Sequence, residues 1–163
     1  MNVNKIKTVS ILIPAYNEEN TIIDLLKLVD KVKLEEKKQI IIINDGSTDK
    51  TKELVEKYIK NKRKTHQLIN KENEGKGSAI KIGIQQAKGE IIIVQDADLE
   101  YDPEDFHLLL KPFKEVNAKV VYGSRIRKQK SNSKRLLLKG KHPNSQLCAY
   151  LGGMTVTFFT NLL

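Results

Sequence analysis

Gln39-Ile40-Ile41-Ile42-Ile43-Asn44-Asp45-Gly46-Ser47-Thr48-Asp49 passes from four consecutive isoleucines straight into a polar turn. A strand with one wet face alternates apolar and polar residues. This one is apolar on both faces, as a strand inside a parallel sheet must be. The turn after it has the composition of a helix start, so the unit is strand, turn, helix. The unit recurs on both sides. Upstream, Val9-Ser10-Ile11-Leu12-Ile13 is a β-branched run stopped by Pro14. A polar turn, Asn17 to Asn20, offers helix caps. Ile22, Leu25, Leu26, Val29 and Val32 then recur at helical spacing. Downstream, Leu54, Val55, Tyr58 and Ile59 mark a second helix, and His66 to Ile69 a third strand. Gly75-Lys76-Gly77-Ser78 opens a third helix with Ile80, Ile84 and Ala87 on its apolar side, and Gly89 ends it as a terminal glycine does. Ile91 to Val94 reads as a fourth buried strand. Asp102-Pro103 reads as an N-cap followed by proline at the first helical position, with Phe106, Leu109, Leu110 and Phe113 on the apolar side of the helix it starts. Val120-Val121-Tyr122 reads as a fifth strand. Strands alternating with helices predict an α/β fold with a mainly parallel central sheet flanked by helices.

A chain of 163 residues has room for one domain with a real core, and no repeat or linker divides it. Residues 1–163 are therefore expected to form a single domain. The stretch 126–145, basic and rich in Ser and Asn, breaks the rhythm and reads as a mobile loop. The formal charge of +9 favours acidic partners, and a lysine-rich surface that keeps the protein soluble explains it equally well. Lysines outnumber arginines and are scattered, which argues against nucleic acid as a partner. Cys148 is the only cysteine, too few for an internal disulfide or a zinc site. Met1 to Thr8 lacks the apolar core of a signal peptide. No run approaches the ~20 apolar residues of a membrane span. The expected location is cytoplasmic, with peripheral contact at the cytoplasmic face of a membrane.

Ligands of open α/β sheets bind beyond the carboxyl ends of the strands, and the polar residues fall there. Strand one runs into Pro14-Ala15-Tyr16-Asn17-Glu18, strand two into Asn44-Asp45-Gly46-Ser47, strand four into Asp96-Ala97-Asp98. Any one strand end needs a polar turn; three acidic ends on one rim point to a site. In an extended segment, residues two apart share a side, so Asp96 and Asp98 would crowd two carboxylates that repel unless a cation separates them. A hard divalent ion, Mg²⁺ or Mn²⁺, resolves that conflict and bridges to phosphate oxygens. Glu100 stands two residues further on as a third candidate ligand. Asp102 is better read as a helix cap. No Gly-x-Gly-x-x-Gly follows strand one, and no Gly-x-x-x-x-Gly-Lys-Ser/Thr is present, so neither a dinucleotide-binding nor a P-loop unit is indicated. Haloacid-dehalogenase-type phosphatases carry their Asp-x-Asp on the first strand with a threonine two residues beyond. Here it follows the fourth strand, and Glu100 takes that place.

These stretches resemble the motifs of family 2 glycosyltransferases of the GT-A type. Ile13-Pro14-Ala15-Tyr16-Asn17-Glu18, Asn44-Asp45-Gly46-Ser47-Thr48-Asp49, Asn73-Glu74-Gly75-Lys76-Gly77 with Ala79, and Asp96-Ala97-Asp98-Leu99 match in order and spacing over 9–125. Glu100-Tyr101-Asp102-Pro103-Glu104-Asp105 and Tyr122-Gly123-Ser124-Arg125 look like the polyprenol-phosphate branch, which includes dolichol-phosphate mannose synthase-like enzymes. The resemblance implies that Pro14, Ala15, Tyr16, Glu18 and Asp45 hold the base and ribose of a nucleotide-diphospho-sugar. It sets Lys76 and Arg125 near the diphosphate, with Ala97 between the acids. It implies that Asp96 and Asp98, with Glu100, hold Mg²⁺ or Mn²⁺, and it rests catalysis on Asp98 and Arg125. The implied reaction is the inverting, metal-dependent transfer of a hexose from a UDP- or GDP-sugar to a polyprenyl phosphate. Family members continue past this length with a Thr-Asp motif and membrane-associating helices, and Gly153 stands where the branch more often has asparagine. The expectation is a truncated member. Its alternative function is a nucleotide-sugar-binding remnant without transfer activity. A polyprenyl phosphate stays in the bilayer, and the basic run from Arg125 to Lys141, with Leu136-Leu137-Leu138 inside it, is the expected contact with an anionic surface.

Overall fold

The computed structural model describes residues 6–123. Four strands form one parallel sheet in the order β3-β2-β1-β4. They are β1 (Thr8–Ala15), β2 (Lys37–Asp45), β3 (His66–Lys71) and β4 (Ile91–Val94). Helices α1 (Ile22–Lys31), α2 (Thr51–Ile59) and α3 (Lys76–Gln86) connect them. After β4 a 3-10 turn (Pro103–Asp105) leads into α4 (Phe106–Glu115). The sheet is the one that the isoleucine run predicts.

The four isoleucines of β2 divide by strand alternation. Ile40 and Ile42 enter the larger core with Val9, Ile11 and Ile13 of β1, Leu25, Leu26 and Val29 of α1, Val55 of α2 and Phe106 and Leu110 of α4. Ile41 and Ile43 enter a second core on the other face with Leu12 and Ala79. All four are at most 1% exposed, and each contributes roughly 1.5–3 kcal/mol by burial.

α3 meets its face differently from the expected apolar stripe. Its buried residues are Ala79 and Gly83, while Ile84 is half exposed. A Cβ at Gly83 would lie 3.0 Å from Ile43 Cδ1 and 3.1 Å from Leu12 Cδ1. The sheet side chains fill the seam, so the helix side of it must be small. β4 also differs from a strand buried on both faces. Ile91 and Ile93 enter the larger core, but Ile92 and Val94, on the side of α3, are 39% and 45% exposed, because α3 packs over β1 and β2.

Two terminal assignments shift. α3 ends at Gln86 with extended Ala87 as its C-cap. Gly89 instead allows close approach, since a Cβ there would meet the Ser10 backbone nitrogen at 2.5 Å. α1 is preceded by Thr21, which makes no side-chain cap bond, so the turn Asn17–Asn20 does not cap it. Asp102 does cap, accepting from the Glu104 N–H at 3.0 Å with Pro103 next in line. Val120 to Tyr122 is not a strand. It pairs with no described strand, and Val120 and Tyr122 are 64% and 89% exposed; three β-branched or aromatic residues form a strand only where a sheet edge receives them.

Candidate functional site

The loops after β1, β2 and β3 are tied to one another at the carboxyl rim of the sheet by side chains that bond to backbone. After β1 the chain turns at Asn17, whose φ of 54° lies in the left-handed region that asparagine tolerates. The Asn17 N–H donates to Ser47 Oγ (3.0 Å), and its Oδ1 accepts from the Thr48 N–H (2.8 Å). The Glu18 N–H donates to Thr51 Oγ1 (2.8 Å) and the Glu19 N–H to Asp49 Oδ2 (3.1 Å). Burial alone would raise the Asp49 carboxyl, but bonds from the Thr51 hydroxyl and backbone N–H and from the Glu19 N–H hold it below the usual carboxylate value. Ser47 N–H donates to Asn44 Oδ1 at 3.1 Å, and Asn44 Nδ2 donates to Asn70 Oδ1 at 3.0 Å. The loops after β1 and β2 thus form one unit, continued to the end of β3.

Asp45, the last residue of β2, is 3% exposed. Its Oδ1 accepts from Lys71 Nζ (2.5 Å) and the Glu74 N–H (3.2 Å), and its Oδ2 from the Gly75 N–H (2.9 Å). Burial pushes its pKa up; the Lys71 ammonium and the two backbone donors outweigh it, and the carboxyl sits below its ordinary value. Gly46 beside it has φ 71°, and a Cβ there would strike the Asn73 nitrogen at 2.7 Å. Gly75 adopts φ 90°, ψ 163°, a conformation essentially restricted to glycine, and so turns the chain into α3. Lys76 then heads α3 with its Nζ 2.6 Å from Asp96 Oδ1.

The segment after β4 is held by Gln95, 2% exposed, whose amide donates to the Asp96 and Tyr101 carbonyl oxygens at 3.1 and 3.2 Å. Asp96 to Asp98 is not the extended segment expected. Ala97 and Asp98 lie in a turn, and Leu99 takes φ 64°. Asp98 Oδ1 accepts from the Glu100 N–H at 3.0 Å. Both aspartates nevertheless reach one open cavity of about 210 Å³, lined by Pro14, Ala15, Tyr16, Glu18, Asp45, Lys76, Asp96, Ala97 and Asp98. That set holds every expected site residue except Glu100 and Arg125. Arg125, and with it the stretch 126–145, Cys148 and Gly153, lies outside the described residues. A broader depression of about 640 Å³ lies beside α2, between Glu19, Ser47 to Lys50 and the helix residues Lys52, Glu53 and Glu56; none of the acids of the first cavity reaches it.

Among the described residues no group of three His, Cys, Asp or Glu is gathered to hold a metal. The donor set at the cavity is two carboxylates, Asp96 and Asp98. That fits Mg²⁺ or Mn²⁺, which are commonly bound by one or two carboxylates together with the phosphates of a substrate. Lys71 and Gln95 were missed in the sequence. Lys71 ends β3 on the same rim, and its position there was the available signal. Gln95 carries no such signal, being an uncharged residue between the apolar run of β4 and the Asp-x-Asp.

A family model described as glycosyl transferase family 2 matches residues 10–160. A dolichyl-phosphate beta-glucosyltransferase of Trichomonas vaginalis is 37% identical over 133 residues, 75% of this chain and 41% of that protein. A poly-beta-1,6-N-acetyl-D-glucosamine synthase of Staphylococcus aureus is 40% identical over 114 residues, 70% of this chain and 27% of that protein. Among solved structures, GalNAc-T7 with UDP, GalNAc and Mn²⁺ matches at a TM-score of 0.60 and 28% identity, over 69% of this chain and 22% of that one. The chain therefore spans less than half the length of these relatives. The parallel sheet and its flanking helices match GT-A glycosyltransferase structures. With the family's model matching 10–160 of its 163 residues, the chain belongs to glycosyl transferase family 2.

Proposed function

We propose that this chain is the nucleotide-sugar-binding part of an inverting, metal-dependent glycosyltransferase that moves a hexose from a UDP- or GDP-sugar to a polyprenyl phosphate. The observation that carries the reading is the single cavity at which the ends of β1, β2 and β4 and the head of α3 meet. Pro14, Ala15, Tyr16, Glu18 and Asp45 hold the base and ribose. Lys76, more than half exposed, exchanges Asp96 for the diphosphate. Asp96 and Asp98 would hold Mg²⁺ or Mn²⁺, which when bound offsets the negative charge that develops on the departing diphosphate. A phosphate acceptor is already an anion and needs no strong general base. The relative that transfers glucose to dolichyl phosphate supports the acceptor, and the structure holding UDP and Mn²⁺ supports the donor and the metal.

Asp98→Ala tests the site. Calorimetry with Mn²⁺ and UDP or GDP should show nucleotide affinity falling at least about 100-fold, with stability changed by no more than about 0.5 kcal/mol. Unchanged affinity would reject the assignment. The same reading places the protein peripherally at an anionic membrane surface on its cytoplasmic face, through the basic residues from Arg125 to Lys141. Sedimentation with anionic vesicles should weaken with salt and fall when Lys134, Arg135, Lys139 and Lys141 become glutamine. Equal pelleting of that variant would remove the run from the contact.

A further inference from the structure

The bonds to Asp45 count against one of the two bases left open above. A carboxylate offers about four acceptor positions, two on each oxygen. On Asp45, Oδ1 is taken twice, by Lys71 Nζ and the Glu74 N–H, and Oδ2 once, by the Gly75 N–H. One position on Oδ2 is left for a group in the cavity that Asp45 lines. Lys71 cannot add to recognition. An ammonium has three protons, and those of Lys71 serve Asp45 Oδ1, the Glu72 carbonyl and Glu74 Oε2.

Uracil presents to such a group a single N–H between two carbonyls. Guanine presents two adjacent donors, the ring N–H and the amino group, and a carboxylate satisfies both only by using both oxygens. We propose that Asp45, with three of its four acceptor positions consumed by Lys71, Glu74 and Gly75, makes the site select a uracil nucleotide over a guanine nucleotide. This rests on the reading that Asp45 meets the base. Against Asp45, itself 3% exposed, guanine would set a donor without an acceptor, and polar groups left unmatched where water is excluded discriminate strongly between similar ligands. Lys71 is on this view a positioning residue, setting specificity through the oxygen it occupies.

Calorimetry on the full chain saturated with Mn²⁺, with UDP and with GDP as separate titrants, decides the matter. UDP should bind at least about 10-fold more tightly than GDP. GDP binding as well as UDP, or better, would overturn the proposal while leaving the nucleotide site intact. Binding of neither would reject the site itself. Lys71→Met frees a second position on Oδ1, so the UDP-to-GDP affinity ratio should fall toward one, whatever happens to either affinity alone. A folded Lys71→Met protein with an unchanged ratio would also overturn it. If that variant does not fold, the comparison of UDP with GDP on the parent chain still decides.

Discussion

At the amino end of the sheet Asp30 gathers the Lys62 ammonium, the Tyr58 hydroxyl (2.8 Å) and the His66 ring (3.1 Å). At the carboxyl end Asp45 gathers Lys71 and two backbone N–H groups. Both carboxylates are held below their ordinary pKa against the opposing push of burial. At the amino end, Lys38 donates to the Val29, Asp30 and Val32 carbonyls at 2.7, 2.9 and 2.7 Å, closing the last turn of α1. Lys114 of α4 reaches Glu35 and the buried Glu36 just before β2. These polar groups fasten helix ends to strands. At the carboxyl end the bonds join loop to loop, and Asp96 and Asp98 are left facing a cavity. Of the five described residues with positive φ, Asn17, Gly46, Gly75 and Leu99 are at this end and Asn117 is at the other. A non-glycine residue such as Leu99 held there costs on the order of 1–3 kcal/mol. What separates a site from a fastening is strained backbone under acids turned toward an opening.

The largest effect expected to break that contrast comes from neutralising each aspartate in turn. Asp45→Asn leaves Lys71, 8% exposed, without its main counter-charge. Removing one partner of a little-exposed pair leaves the other charge uncompensated, so Asp45→Asn should be the more destabilising of the two changes, tempered by the contact that Lys71 retains to Glu74. Asp30 is 27% exposed and its partner Lys62 38%, so Asp30→Asn should cost about 1–2 kcal/mol. Urea unfolding measures both. Asp30→Asn should also leave UDP affinity unchanged, whereas Asp45→Asn should alter it. Equal stability losses, or a loss of UDP binding in Asp30→Asn, would show that the two ends do not differ as argued.

The sequence made the sheet legible because its deciding signal is local: a run apolar on both faces has no other stable place than inside a parallel sheet. Three of the rim's acids, Asp45, Asp96 and Asp98, were legible because they follow such runs directly. The failures share a cause. α3 buries Ala79 and Gly83 because Leu12 and Ile43 already fill the seam, and no property of the helix sequence reports the volume of what faces it. The extended reading of Asp96 to Asp98 failed because Gln95 bonds the Asp96 and Tyr101 carbonyls and curls the segment. Lys71 escaped because its role depends on the register of β3 beside β2, where it stands opposite Asp45, a pairing that only tertiary structure supplies.

The smallest effect sharpens the comparison through pH. His66 begins β3 with its side chain 2% exposed. Burial pushes its pKa below the ordinary 6.5, Asp30 pulls it back, Lys62 adds to the lowering, and the net direction is down. Its Nδ1 sits 2.9 Å from Thr65 Oγ1, while its Nε2, although near Asp30, makes no aligned hydrogen bond. The folded protein therefore favours the neutral ring. As pH falls below about 6.5, the unfolded chain takes up the proton before the folded one, and stability drops until the folded-state pKa is passed. Asp45 has the same sign, but its contribution is present above about pH 4 and is lost only below it. Between pH 7 and pH 5 the amino end should thus weaken while the carboxyl end is unaffected. The urea midpoint should decline over that interval in the parent and stay level in His66→Gln. Asp30→Asn removes the charge that pulls the His66 pKa upward and should extend the decline to lower pH. A His66→Gln protein that declines as steeply as the parent would assign the pH dependence to some other group.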